Sequence, residues 1–255
     1  MTMSRRTFLK VTGAATASVA VGAVGVEVAT MLTQDQLEAL KAGFAQRLAQ
    51  RYGETQGKLL AQSIDQELEA TLAQLPDIGT DEENRWATNM PPTAYALAAY
   101  RVLVPDHATL EDVGQMFYET VEEQTSGVPG FVMRVTYNEH KMMERTQSLA
   151  NRSQRREYPE DWVLTYVEGD GQDFTYGVDV TECAILKYLE QQGAPELTRY
   201  LCLIDYLTSE AMGRGLVRYK TLAEGCATCD FRYKHGRSSY LYPLRDGWPP
   251  KFASS

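Results

Sequence analysis

In TQDQLEALKAGFAQRLAQRYG (33–53), apolar residues recur at Leu37, Leu40, Phe44 and Leu48, the spacing of one helix face, and Thr33 with Gln36 forms a capping box ahead of them. GKLLAQSIDQELEATLAQLP (57–76) repeats the rhythm with Leu60, Ile64, Leu68, Leu72 and Leu75 until Pro76 stops it. Two such stretches in succession predict a helical hairpin. Pro91 and Pro92 suit the first turn of a third helix in PPTAYALAAYRVLV, and TLEDVGQMFYETVEEQ predicts a fourth. The Leu, Phe and Met positions of these stripes read as core, with no cofactor box among them. From Gly127 to Pro159 charges and scattered apolar residues mix, and the reading is helix with a loop near 153–158.

The period changes at Trp162. DWVLTYVEGDGQDFTYGVDV alternates strand formers about Gly169, Asp170 and Gly171, which predicts a β-hairpin turning there. TECAILKYLEQQG then predicts a helix capped by Thr181 and ended by Gly193, and APELTRYLCLIDYLTSEAMG a second one ended by Gly213. LVRYKTLAEG and ATCDFRYKHG follow as two short strands, and the chain from Leu241 onward reads as a surface wrap. The fold class is therefore α+β: an N-terminal helical segment followed by a small antiparallel sheet packed with helices. The expected organisation is a leader over residues 1–29, a helical region over 30–125 and a cysteine-containing α+β region over 126–255, with 30–255 as one compact unit.

The leader changes the picture of where the protein works. SRRTFLK places Arg5 and Arg6 before Phe8-Leu9-Lys10 and a weakly apolar run of Ala, Val and Gly, the pattern of a twin-arginine export signal. Val21-Gly22-Ala23 resembles a small-residue processing site, and Glu27 interrupts the apolar run, against a permanent membrane span; an uncleaved leader would tether the chain to the membrane. The expected destination is the bacterial periplasm, with the twin-arginine translocase as partner. That route carries folded proteins, so cysteines stay reduced while the fold forms. The formal net charge is -9, and the leader holds more cations than anions, so the remainder is more acidic still. Such a body repels phosphate backbones and argues against nucleic acid as a partner.

All four cysteines, Cys183, Cys202, Cys226 and Cys229, fall in the α+β half, with 18, 23 and 2 residues between successive members. Only Cys226 and Cys229 form a close pair, so the spacing leaves three readings open: buried or catalytic thiols, a disulfide between the close pair, or convergence of all four on zinc or an iron–sulfur cluster. Arg232, Lys234 and His235 lie near Cys229 in sequence. Strand alternation, however, puts Cys229, Phe231 and Tyr233 on one face and Asp230 with Arg232 on the other, where an ion pair between them or a grip on a substrate carboxylate is expected. Of the acidic residues near the cysteines (Asp173, Asp179, Glu182, Asp205), Asp205 stands out. It lies three positions after Cys202 amid apolar neighbours, where desolvation would suit it to act as a base. His107, His140 and His235 enter no serine-type triad or paired metal motif.

FTYGVDVTECAILKYLEQQGAPELTRYLCLIDYLTSEAMGRGLVRYKTLAEGCATCDFRY resembles the L-2-amino-thiazoline-4-carboxylic acid hydrolase family. The likeness rests on Asp179, Thr181-Glu182-Cys183, Leu201-Cys202, Asp205, Gly213, Arg218, Thr221-Leu222-Ala223, Gly225 and Cys229-Asp230-Phe231-Arg232, with NMPPTAYALAAY similar upstream, so it covers about residues 85–235. Cys226 and Tyr219-Lys220 stand outside the pattern. The resemblance implies a hydrolase of a small substrate in which water opens a cyclic isothiourea, breaking the ring carbon–sulfur bond to give N-carbamoyl-cysteine. The chemistry asks for a base or a thiolate, an acid for the leaving sulfur and a cation for the carboxylate. The resemblance offers Cys229, Asp205, Cys183 and Cys202 for the first two roles, and Arg232, Asp230 and Arg218 for holding substrate.

Overall fold

The computed structural model describes residues 25–80, 83–126 and 138–239, with side chains from residue 36; the signal segment before residue 25 and the expected C-terminal wrap lie outside them. Contacts divide the chain into Met1–Ala39 and Leu40–Ser255. Apart from the first turns of the opening helix, which belong to the first unit, the architecture below concerns the second.

Helix α1 (Gly25–Tyr52) begins eight residues before the expected capping box, because residues 26–32 include no Gly or Pro to stop it. Helix α2 (Glu54–Ala73) turns back at Gly53, whose φ of 82° is left-handed, completing the predicted hairpin. The two rods meet closely at Gly57, where an added Cβ would lie 2.5 Å from the Ala49 nitrogen. Helices α3 (Met90–Leu103) and α4 (Leu110–Ser126) follow. Thr109 and Asp112 cap α4 reciprocally: the Thr109 N–H donates to the carboxylate at 2.9 Å and the Asp112 N–H to the hydroxyl at 3.1 Å. Phe44 sits edge-on to Tyr95 at 5.6 Å and beside Phe117 at 6.2 Å, joining α1, α3 and α4. Phe44, Leu48 and Ile64 are fully buried, each worth about 1.5–3 kcal/mol by transfer from water.

Helix α5 (Glu139–Ser153) precedes strand β1 (Val163–Glu168), and the Ser153 hydroxyl both accepts from the Leu164 N–H and donates to the Leu164 carbonyl, at 3.1 Å each. Strand β2 (Tyr176–Glu182) is joined to β1 by a loop over 169–175, longer than the tight turn expected. The Asp170 carboxylate accepts the N–H groups of Gln172, Asp173 and Phe174 and so shapes a wider connection. Thr181 lies in β2, and the cap position of helix α6 (Ala184–Gln191) belongs to Cys183. The expected single helix over 194–213 is two, α7 (Thr198–Leu201) and α8 (Ile204–Ala211), after a 3-10 turn at Pro195–Leu197. Gly193 and Gly213, with φ of 70° and 66°, end α6 and α8 as expected.

Strands β3 (Leu216–Val217) and β4 (Cys229–Tyr233) complete an antiparallel sheet of order β1-β2-β4-β3. Val180 pairs with Cys229, Val178 with Phe231 and Tyr176 with Tyr233, so these residues share the buried face, and Asp179, Asp230 and Arg232 share the other. Two contacts seat the helical and sheet halves together. Tyr188 on α6 donates to the Thr71 carbonyl of α2 at 2.8 Å, and Gly114 on α4 leaves room for the Tyr200 ring, which an added Cβ would meet at 2.3 Å. Tyr118, Tyr200, Leu203 and Leu207 form a core cluster around that contact.

Candidate active site

The break between α7 and α8 begins at the backbone. In a continuous helix the Tyr206 N–H would bond the Cys202 carbonyl; here it bonds Leu203 at 3.1 Å, and the Leu203 N–H bonds Tyr200 at 3.1 Å. The freed Cys202 carbonyl accepts instead from Arg218 Nη2 at 2.7 Å. Arg218 Nη1 donates to Asp205 Oδ2 at 2.7 Å. The guanidinium is 2% exposed and lies over Tyr206 at 5.0 Å and Phe231 at 4.7 Å, while the Tyr206 hydroxyl donates to the Arg218 carbonyl at 3.0 Å. Burial works against its charge, but Asp205 and Cys202 outweigh that and hold its pKa above the ordinary 12.5.

Asp205 corrects one expectation. Its carboxylate is 43% exposed and paired with Arg218, not desolvated among apolar neighbours, because a cation thirteen residues on in the chain lies beside it. A cleft of about 20 Å³ opens here, lined by Cys202, Tyr206, Arg218, Arg199, Thr221 and Glu224 among others.

The cysteines converge on this corner. Cys202 starts the break, Cys183 caps α6, and Cys229 opens β4 on the buried face. Burial pushes all three thiols up, each to about 12 from an ordinary 9.0. Mutual repulsion adds to it: Cys202 acts on Cys183, Cys229 on Cys202, and Cys183 on Cys229. Weaker influences favour the thiolates: Arg218 for Cys202 and Cys229, and the Leu186 and Ile185 N–H groups with the Trp162 indole for Cys183, which makes no closed capping bond. The Leu222 N–H donates to Cys229 Sγ at 3.2 Å. All four cysteines are free thiols, and Cys226 sits half-buried in the loop before β4. Among the described residues no three His, Cys, Asp or Glu side chains group as metal ligands, so the zinc or iron–sulfur reading of Cys183, Cys202, Cys226 and Cys229 gains no support from the donor geometry.

The opposite face of the sheet corrects a second expectation. Arg232 pairs with Asp179 at 2.8 Å, not with Asp230, because Gly177 beside it leaves the guanidinium room to lie across β2. Asp230 instead accepts the N–H groups of Tyr219 and Lys220 at 2.9 and 2.6 Å, fixing the chain that leads into the 3-10 turn Leu222–Glu224. Thr221 caps that turn and Gly225 closes it at φ 80°, which aims the Leu222 N–H at Cys229. Thr221-Leu222-Ala223 and Gly225 thus have a local function that the strand reading of this stretch missed. Glu182, held below its ordinary 4.5 by Lys187 and then by Arg156, braces β2. Tyr206 and Trp162 escaped the sequence reading, since their roles depend on contacts distant in the chain.

The profile of the L-2-amino-thiazoline-4-carboxylic acid hydrolase family matches residues 93–233, more than half of the chain and all of the corner just described. The chain belongs to that family. Within this hydrolase-family chain the matched span runs from α3 through β4, so the helical supports and the thiol corner fall under one family pattern. A twin-arginine translocation pathway signal sequence matches residues 2–22 and includes Arg5 and Arg6, which marks the chain for export by the twin-arginine translocase. No helix among the described residues is long and apolar enough to cross a membrane. No curated protein and no solved structure matches the chain.

Proposed function

We propose that this exported protein hydrolyses a small cyclic isothiourea of the 2-amino-thiazoline-4-carboxylate type, with water as nucleophile and Asp205 as base. The observation that carries the reading is the Arg218 guanidinium: it lines the cleft with Cys202 and pairs with the half-exposed carboxylate of Asp205. Water adds to the ring carbon between nitrogen and sulfur, giving one proton to Asp205. The carbon–sulfur bond then breaks with its electron pair leaving on sulfur, which takes that proton. The second water proton passes to the ring nitrogen as the new carbonyl forms.

Burial bears on the role of the thiols. A group at about 12 is almost wholly protonated near neutral pH, which disfavours a standing thiolate nucleophile. Nor does it hand its proton to a leaving thiolate whose ordinary pKa is about 8.5. Cys202, the one of the three that lines the cleft, therefore serves as a neutral, polarizable wall of the site, and the proton travels by Asp205. Arg232, on the far face and locked to Asp179, braces the sheet, and Asp230 positions the Tyr219–Leu222 segment. The test is turnover of 2-amino-thiazoline-4-carboxylate and related rings by the purified mature protein. Product release with loss in Asp205→Asn supports the reading; no turnover across the panel overturns it.

A further inference from the structure

The proposed hydrolysis needs a place for the ring, and the cleft at Cys202 is too small to enclose one. It has about 20 Å³ of free space, whereas pockets that bury a small molecule run to roughly 300–1,000 Å³. A ring therefore has to rest on the mouth, against lining side chains that reach solvent. Among the described residues that line the cleft, the exposed ones are Tyr219, at 58%, and Glu224. Both stand on pinned backbone. The Tyr219 N–H donates to Asp230 Oδ1 at 2.9 Å, and the Glu224 N–H donates to the Thr221 hydroxyl at 3.2 Å in the turn that Gly225 closes. Among the described residues the Glu224 carboxylate has no hydrogen bond or ion pair, whereas Asp205 is committed to Arg218. Glu224 lies close enough to Cys202 for its charge, like that of Asp205, to bear on the thiol. Arg199 and Arg218 line the same cleft, so it offers both signs of charge.

We propose that Glu224 and Tyr219 select the substrate: Glu224 accepts the N–H groups of its amidine edge, and the Tyr219 ring receives the flat face of the same group. This rests on the hydrolase reading above and names the class of ring that the site takes, a cyclic isothiourea or guanidine and not its neutral carbonyl counterpart. A 2-amino-thiazoline carries nitrogens on both sides of one carbon, a flat edge of N–H donors that holds delocalised positive charge when protonated. A carboxylate meets such an edge with both oxygens, as it meets a guanidinium, and the face of a tyrosine attracts a flat cation laid over it. A ring with a carbonyl oxygen in place of the amino nitrogen sets an acceptor against the Glu224 oxygens, so the same residue rejects it. The arginines of the cleft leave the carboxylate of the substrate in an attractive field.

Two measurements test it on the full mature chain. The first is calorimetric binding of 2-amino-imidazoline-4-carboxylate, a ring with nitrogen in place of sulfur and so no carbon–sulfur bond to break, beside its 2-oxo counterpart. The amino ring is expected to bind the wild type and to bind Glu224→Gln at least about tenfold more weakly, and the 2-oxo ring to bind neither. No binding of the amino ring by the wild type, equal binding by both proteins, or no preference over the 2-oxo ring overturns the proposal. This arm needs no turnover, so selective binding without any ring opening sinks the hydrolase reading and leaves Glu224 in its role. The second is kinetics with 2-amino-thiazoline-4-carboxylate. In Glu224→Gln, KM is expected to rise at least about tenfold with kcat within about threefold of the wild type; in Tyr219→Ala, KM is expected to rise about two- to fivefold, with Tyr219→Phe unchanged. A kcat lost in Glu224→Gln at constant KM would make Glu224 the base and overturn the assignment, and unaltered kinetics would leave hydrolysis standing and refute the selecting role.

Discussion

Two buried arginines, Arg152 and Arg218, each face an aspartate, and their surroundings separate support from chemistry. Arg152 pairs with Asp161 where both side chains are shut from solvent, at 9% and 7% exposed. Its Nη2 donates to the Ile78 carbonyl at 3.0 Å, and Asp161 Oδ1 accepts from Asn84 and from the Trp162 N–H at 2.8 and 2.7 Å. No side-chain polar atom of that network is buried without a partner. Arg218 is buried more deeply, but its aspartate is half in solvent and one of its N–H groups is unanswered. A network whose donors are all answered within the protein fixes the α5–β1 junction, although Arg152 also borders a surface groove; one with a donor left over and a half-exposed carboxylate can act on something that approaches.

The sharpest way to break the comparison is to neutralise each carboxylate. Asp205→Asn keeps an acceptor for Arg218 and is expected to cut kcat by about 10²–10⁴, with the far-ultraviolet circular dichroism of the wild type. Asp161→Ala leaves the Arg152 charge buried and unpaired, and urea unfolding is expected to show a loss of about 3–5 kcal/mol while turnover per folded molecule stays at the wild-type value. If the two variants exchange these signatures, the division between the arginines is wrong. Smaller effects sharpen it. Asn84→Ala removes a buried donor to Asp161 and is expected to cost about 1–3 kcal/mol in the same unfolding assay, whereas Tyr206→Phe removes one hydroxyl donor to the Arg218 carbonyl for about 0.5–1.5 kcal/mol.

A further difference is one of pH. Only Arg218 has thiol neighbours, and these stay protonated in the folded chain to about 12 against an ordinary 9.0. Below pH 9 both folded and unfolded chains hold these protons. Above it the unfolded chain releases them first, so stability drains away as pH rises from 9 toward 12. Urea midpoints measured from pH 8 to 10.5 should fall, and fall less in Cys183→Ala; a flat profile would mean that the thiols are not desolvated.

Periodic features were legible before any coordinates. The Leu and Phe stripes of α1 and α2, the prolines opening α3, and the alternation that puts Cys229 and Arg232 on opposite faces all depend on neighbours within a few residues. Of the residues that carry the family likeness, Cys183, Cys202, Asp205, Arg218 and Cys229 lie around one corner, whereas Asp179, Asp230 and Arg232 lie on the far face of the sheet. What escaped was pairing across distance. Asp205 looks desolvated in YLCLIDYL because its sequence neighbours are apolar, yet its decisive partner is Arg218, thirteen residues on. Arg232 looks ready for Asp230 until Gly177, on another strand, opens a path to Asp179. Thr181 reads as a cap because it is followed by a helical rhythm, but it lies at a register shift between β1 and β2, where its hydroxyl donates to the Val163 carbonyl at 3.2 Å.

The split between α7 and α8 sets two claims on one carbonyl against each other. Local preference alone would zip residues 198–211 into a continuous rod, and the Arg218 guanidinium holds that rod open by occupying the Cys202 oxygen. Amide hydrogens on either side of the gap therefore sit in ladders of unequal length, and the few across it report directly on whether the cation is seated. Hydrogen exchange over residues 202–206 becomes a gauge of the corner's integrity that needs no substrate: slow while Arg218 is clamped, and reset to a helical pattern when it is removed.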